Sequence, residues 1–160
     1  MKAHFERLAA YNAWANGRLY AAASARPAAE LTTDLGAFFG SILATLNHIM
    51  VADLIWAARL RGVAQPPFGL DHVLHDTLAE LTPARQAMDA DLVRLVAEID
   101  LAAPVHYRRG GTAYQAVPGD LLIHMFNHQT HHRGQVHAML TRLGAPSPVL
   151  DLIYFQRGEG

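Results

Sequence analysis

Five of the ten histidines fall within one stretch of 23 residues, LLIHMFNHQTHHRGQVHAMLTRL, from Leu121 to Leu143. They are His124, His128, His131, His132 and His137. At about 100° per residue in a helix, Asp120, His124, His128 and His132 form an i, i+4 ladder. Leu121, Met125, Gln135, Met139 and Leu143 share its face, so the expectation is that the histidines point toward the apolar interior. A buried imidazole needs a partner, because an unpaired buried polar group costs roughly 1–3 kcal/mol. Several on one stripe suggest a common partner, and a divalent metal ion is the simplest. Two pairs, 124/128 and 128/132, have the spacing to hold one ion, and periodicity does not choose between them.

A third nitrogen is offered by His48, on an apolar stripe with Ser41, Ala44, Thr45, Val51, Ala52, Ile55 and Arg59. Alone it reads as a hydrogen-bonded core histidine; beside the ladder it is the natural third ligand. Three protein nitrogens leave a coordination position open, the arrangement of a catalytic rather than a structural zinc. Imidazole also suits nickel, copper and iron, and zinc or nickel is the expected ion. A metal-bound imidazole donates its other N–H to an acceptor, a role open to Asp120, Asn12 or Asn16. His72 and His75 lack a matching stripe and read as loop histidines.

Other chemistries have less support. With no cysteine there is no disulfide, thiolate ligand or cysteine nucleophile. There is no HExxH, no Glu-x-x-His and no G-x-S-x-G, so a zincin, a ferritin-like di-iron site and a nucleophile-elbow hydrolase each lack their residues. The net charge of −1 offers no field for nucleic acid or an anionic membrane. The amphipathic N-terminus does not read as a signal peptide, and no uninterrupted apolar run reaches the roughly 18 residues of a membrane span. A cytoplasmic location is the expectation.

The elements that position these residues follow from periodicity. With 160 residues, 51% hydrophobic and 17% charged, the chain is expected to form one domain over 1–160. A first long helix is expected over 2–24, with Phe5, Leu8, Asn12, Ala15, Asn16, Leu19 and Ala23 on its inner stripe. Asn12 and Asn16 on that stripe are either satisfied structural groups or the lining of a polar cavity beside the histidines. The opposite strip, Ala10, Trp14, Gly17 and Ala21, is a candidate homodimer interface. A loop is expected over 25–35. A second long helix should run from about Gly36 to Leu60, closed by Arg61-Gly62, and an irregular link should cover 62–75. A third should start at the Thr82-Pro83 cap and end near Ile99, with helical structure from Asp76 as an alternative start. A short hairpin over 104–117 turns at Gly110-Gly111, and the histidine helix follows from Pro118. The tail should pack Leu150, Leu152, Ile153 and Phe155 on the bundle. The fold class is all-α: a four-helix bundle with a short β-hairpin before the last long helix.

HMFNHQTHHRGQVHAMLTRLG, with LNHIMVADLIW upstream, YNAWANGRL at the start and LDLIYF at the end, resembles the DinB/YfiT family of bacterial four-helix bundles, in order over nearly the whole chain. The resemblance implies a metal held by His48, His128 and His132, with His124 and His131 as neighbours. It also implies a homodimer, and in characterised members a transferase or isomerase that uses a low-molecular-weight thiol. On that reading Gln135, Asn12 or Asn16 orients a small-molecule substrate, and Arg59 or Arg133 meets a carboxylate of the thiol, unless these arginines are simply solvated. The rival is a non-catalytic metal-binding stress-response module whose ion staples two helices together.

Overall fold

The computed structural model describes residues 1–146 and 148–159. Four long helices carry the fold: α1 (Lys2–Ser24), α3 (Ile42–Arg61), α4 (Leu78–Glu98) and α5 (Pro118–Arg142). Short helices α2 (Ala28–Thr32) and α6 (Leu152–Arg157) and the strands β1 (Val105–Arg109) and β2 (Thr112–Ala116) complete it. α1 and α3 each pack against both α4 and α5, so α1 and α3 face each other across the bundle. The chain therefore steps diagonally from α1 to α3 and from α4 to α5. The long link after α3 joins two neighbours.

The ends of the helices show where local chemistry decides. The expected start of the second long helix at Gly36 is displaced to Ile42. Gly36 and Gly40 both sit at φ 76°, and Leu35 N–H donates to Gly40 O at 2.9 Å, which folds 36–41 into a turn. Ser41 then caps α3, its Oγ accepting from Ala44 N–H at 3.2 Å. At the other end Gly62 takes the left-handed conformation, φ 66°, as Arg61-Gly62 implied. α4 starts not at Thr82 but at the Thr77 cap, with Pro83 inside the helix; of the two starts considered, the one preceding the proline is found. Thr77 and Glu80 form a capping pair, Glu80 N–H to Thr77 Oγ1 at 3.2 Å and the hydroxyl to Glu80 Oε2 at 2.9 Å. The loop expected over 25–35 contains the single turn of α2.

The hairpin pairs antiparallel with Tyr107 opposite Tyr114, and Gly110 and Gly111 take positive φ at its tip. Leu150 packs on the core and Phe155 against α1, but Ile153 is exposed. The apolar core runs along the bundle axis through Leu19, Ile42, Leu46, Ile49, Leu81, Leu92, Leu122, Met125 and Leu140. Among the described residues only α3 is long and apolar enough to cross a membrane, and most of it is buried inside the bundle.

Candidate metal centre

Successive i, i+4 positions on a helix drift by about 40°, so the ladder on α5 winds around the helix instead of following one face. Asp120 and His124 are exposed, His128 is half-buried and His132 is buried. This corrects the expectation that the ladder histidines all point inward: His124 does not. The face turned to the core carries Leu121, Leu122, Met125, Phe126, Gln129, Arg133, Val136 and Leu140.

At its buried end the ladder meets α3. His48, 4% exposed, brings Nε2 to 3.1 Å from Nε2 of His128. One nitrogen from each of His48, His128 and His132 lies within 4.8 Å of the others. Two nitrogens bound tetrahedrally to one zinc stand roughly 3.3 Å apart, given bonds of about 2.0–2.1 Å, so the cluster fits an ion with small ring shifts. The structure thus brings together the lower of the two ladder pairs and His48. His124 remains outside, tilted against Trp56 at 4.7 Å between ring centroids and 6.0 Å from the His128 ring.

Two rings are aimed from behind. His48 Nδ1 is 2.8 Å from Leu70 O and His132 Nδ1 is 2.8 Å from Gln135 Oε1. Both oxygens only accept, so each Nδ1 donates and each Nε2 is left unprotonated. Gln135 also approaches His131 Nε2 with its amide nitrogen at 3.3 Å. The acceptors behind the rings are therefore a loop carbonyl and Gln135, not Asp120, Asn12 or Asn16. The loop is pinned by Asn47, whose Oδ1 accepts from Leu74 N–H and His75 N–H and whose Nδ2 donates to His75 O. Phe39, from the turn ahead of α3, stacks on His48 with ring centroids 3.9 Å apart and meets His132 edge-on at 5.7 Å. Neither Asn47 nor Phe39 was singled out in the sequence. The Gly36/Gly40 pair was the available signal for Phe39, since it marks a turn beside the His48 helix.

Burial pushes the His128 imidazole down to about 3, helped by the neighbouring His132, His48, His124 and His131. His48 and His132 are lowered as well, chiefly by burial. Neutral imidazoles with converging lone pairs are what a borderline cation requires. His72 stacks on Phe68 and lies outside the cluster, as does His75.

The remaining candidates lie elsewhere. Asn12 and Asn16 donate to Asp89 at 3.2 and 2.9 Å. Arg133, only 3% exposed, donates to Asn12, and to Gln129 Oε1 at 3.1 Å. Gln129 in turn donates to Asp53 at 2.9 Å. Arg85 closes the ring, 2.5 Å from Asp53 and 2.9 Å from Asp89. Asn12 and Asn16 are thus satisfied structural groups, and Arg133 is neither solvated nor directed at the histidines. Arg59 is not solvated either. It is 8% exposed, lies 4.3 Å above the Trp56 ring and donates from Nε to Gln65 at 2.9 Å. A cavity of about 630 Å³ opens beside the cluster, bounded by His128, His124, Trp56 and Arg59 among others.

Comparison with known proteins agrees with this architecture. The model of the DinB family matches residues 1–159. The "Protein DinB" of Bacillus subtilis (strain 168) is 25% identical over 156 residues, covering 91% of this chain and 89% of that protein.

Proposed function

The chain belongs to the DinB family, and from that premise we propose that it is a metal-dependent transferase acting with a low-molecular-weight thiol. The observation that carries this reading is a cluster of three neutral imidazoles, from His48, His128 and His132, beside a cavity large enough for a small substrate. Zinc or nickel is the ion proposed. When bound, it supplies a Lewis acid that lowers the pKa of a thiol cosubstrate at neutral pH. The chain itself has no cysteine to serve as nucleophile.

The protein's own groups then hold and shield. Leu70 O and Gln135 keep the His48 and His132 rings oriented, and Phe39 covers one side of the pair against water. The thiol gives up its proton to solvent, and its sulfur forms a bond to the electrophilic carbon. That carbon releases its leaving group or, in an addition, passes the electron pair to its neighbour, which takes a proton. His48, His128 and His132 would hold the ion with three nitrogens and leave it able to take a further ligand, and His128 borders the cavity from which a substrate would come.

The test is cobalt substitution followed by titration with thiols. Sulfur-to-metal charge-transfer bands should appear, and conjugation to an electrophile should require both the ion and His48. If no thiol perturbs the cobalt spectrum while metal removal lowers stability, the ion is instead a staple between α3 and α5.

A further inference from the structure

The cavity beside the histidines is strongly one-signed. Arg59, Arg108 and Arg109 all border it, and no aspartate or glutamate does. Among the described residues no carboxylate pairs with any of the three. Arg59 Nε is bonded to the neutral amide of Gln65, and Arg108 Nη2 donates to Gly111 O at 2.5 Å. Burial lowers the pKa of Arg59, and Arg109 adds repulsion. An arginine 8% exposed and left without a counter-ion carries a desolvation penalty that its contacts with Trp56 and Tyr107 only partly offset. The two other buried arginines, Arg85 and Arg133, are by contrast enclosed in the polar ring of the core.

Arg59 is also placed to work with the histidines. It follows His48 by three turns of α3, which returns it to within about 20° of the same azimuth, roughly 16 Å further along the axis. Its side chain leans back toward the helix N-terminus, hence toward His48. The rings of Trp56, His124 and His128 bridge the interval. Gln65 fixes the arginine and, through Nε2 to Arg108 O at 2.7 Å, ties it to the hairpin.

We propose that Arg59, with Arg109 and Arg108 of the hairpin, forms an anion subsite that binds the far end of the thiol cosubstrate, its carboxylate or phosphate lying on the order of 10 Å from the sulfur. This rests on the thiol-transferase reading and adds the class of thiol: long, with an anionic terminus. Guanidinium groups supply paired donors for either oxyanion.

The cobalt-loaded protein is titrated with 6-mercaptohexanoate, 6-mercaptohexyl phosphate and the neutral 6-mercaptohexanol, read by the charge-transfer band. At least one anion should bind about tenfold or more tightly than the alcohol, the size of one charge-assisted hydrogen bond, and which anion binds better identifies the group. Arg59→Gln should bring that ratio near one with cobalt content unchanged. Arg109→Gln, in the exposed hairpin and safe for folding, should reduce it by a smaller factor. Equal affinity for the anions and the alcohol in the wild type overturns the subsite while leaving thiol binding intact. If no thiol reaches the cobalt, the function proposal fails, and the subsite is then read alone in the metal-free protein. There, hexanoate or hexyl phosphate should change the tryptophan fluorescence through Trp56, and Arg59→Gln should abolish the change; no change in the wild type overturns it.

Discussion

Two polar regions sit less than one helical turn apart on α5 and differ in kind. In the core ring, Asp53, Arg85, Asp89, Asn12, Asn16, Arg133 and Gln129 are linked to one another in a closed circuit of hydrogen bonds and ion pairs, with two carboxylates balancing two guanidinium groups and only Arg85 Nε left without a partner. At the histidine cluster, two rings are satisfied on one nitrogen only, and the other nitrogens converge. His128 and Gln129 are neighbours in sequence but serve different regions, as do His132 and Arg133. A polar group in a bundle core that closes its hydrogen bonds internally specifies packing. One that leaves them open toward a cavity specifies a ligand.

Breaking the ring should have the largest effect on folding. Arg85→Met leaves Asp53 and Asp89 buried without their ion-pair partner, and should destabilise the protein by about 3–5 kcal/mol in urea unfolding. A loss under 1 kcal/mol would show that the ring is not the closed circuit described. His128→Ala should do the opposite: little change in metal-free stability, but metal affinity reduced more than about 100-fold. His72→Ala should retain full metal content, and full stoichiometry in His128→Ala would sink the ligand assignment.

Smaller still is the effect of a supporting group. Gln135→Leu removes the acceptor that orients His132 and should weaken metal binding by about 10–100-fold without touching the ring. An affinity equal to wild type would leave Gln135 no orienting role.

The two regions also answer acid with opposite sign. A histidine of the unfolded chain takes a proton near pH 6.5, whereas His128 does so only near 3. Below pH 6.5 the unfolded state therefore binds more protons, and the stability of the metal-free protein declines as pH falls toward 3. Asp53, pushed up to about 6 by burial against the pull of Arg85, acts the other way; its contribution is lost as pH rises from 3.8 through 6. Comparing metal-free wild type with His128→Ala cancels the carboxylate. From about pH 7 to pH 5 the wild type should lose stability relative to the variant, and a constant difference would mean that His128 titrates normally.

The mildest change concerns assembly. The Trp14 strip was expected to need a partner subunit, yet Tyr11, Arg18 and Phe155 already cover part of the indole. Gly17 and Ala21 remain exposed, and we propose a homodimer across them. Trp14→Glu should then yield monomers in sedimentation with the metal retained, at a cost of about 1 kcal/mol or less in folding stability. A wild-type monomer at micromolar concentration would end the idea.

Much of this was legible without coordinates, for local reasons. The inner stripe of α1, the Gly62 stop of α3, the Gly110-Gly111 turn and the Pro118 start of α5 each depend on residues within a few positions. Thr77-x-x-Glu80 was equally local and was outranked by the Thr82-Pro83 pair, because a proline near a helix start resembles an N1 residue. The three histidines that converge were named, but spacing alone left two registers open and only the resemblance chose between them.

By itself, then, the sequence determined the four long helices, the hairpin and the set of histidines from which a site can be drawn, because periodicity and capping are properties of neighbours along the chain. Which histidines converge, and which polar residues close on each other, depended on the packing of α5 against α3 on one side and α1 on the other. The 40° drift of an i, i+4 ladder makes each rung face a different neighbour, and a one-dimensional stripe cannot say where that neighbour stands. Arg59 and Arg133 illustrate the point: each read either as a contact for a carboxylate of the thiol or as a solvated charge, and the tertiary structure buries both, one against Trp56 beside the cavity and the other among Asn12, Asn16 and Gln129.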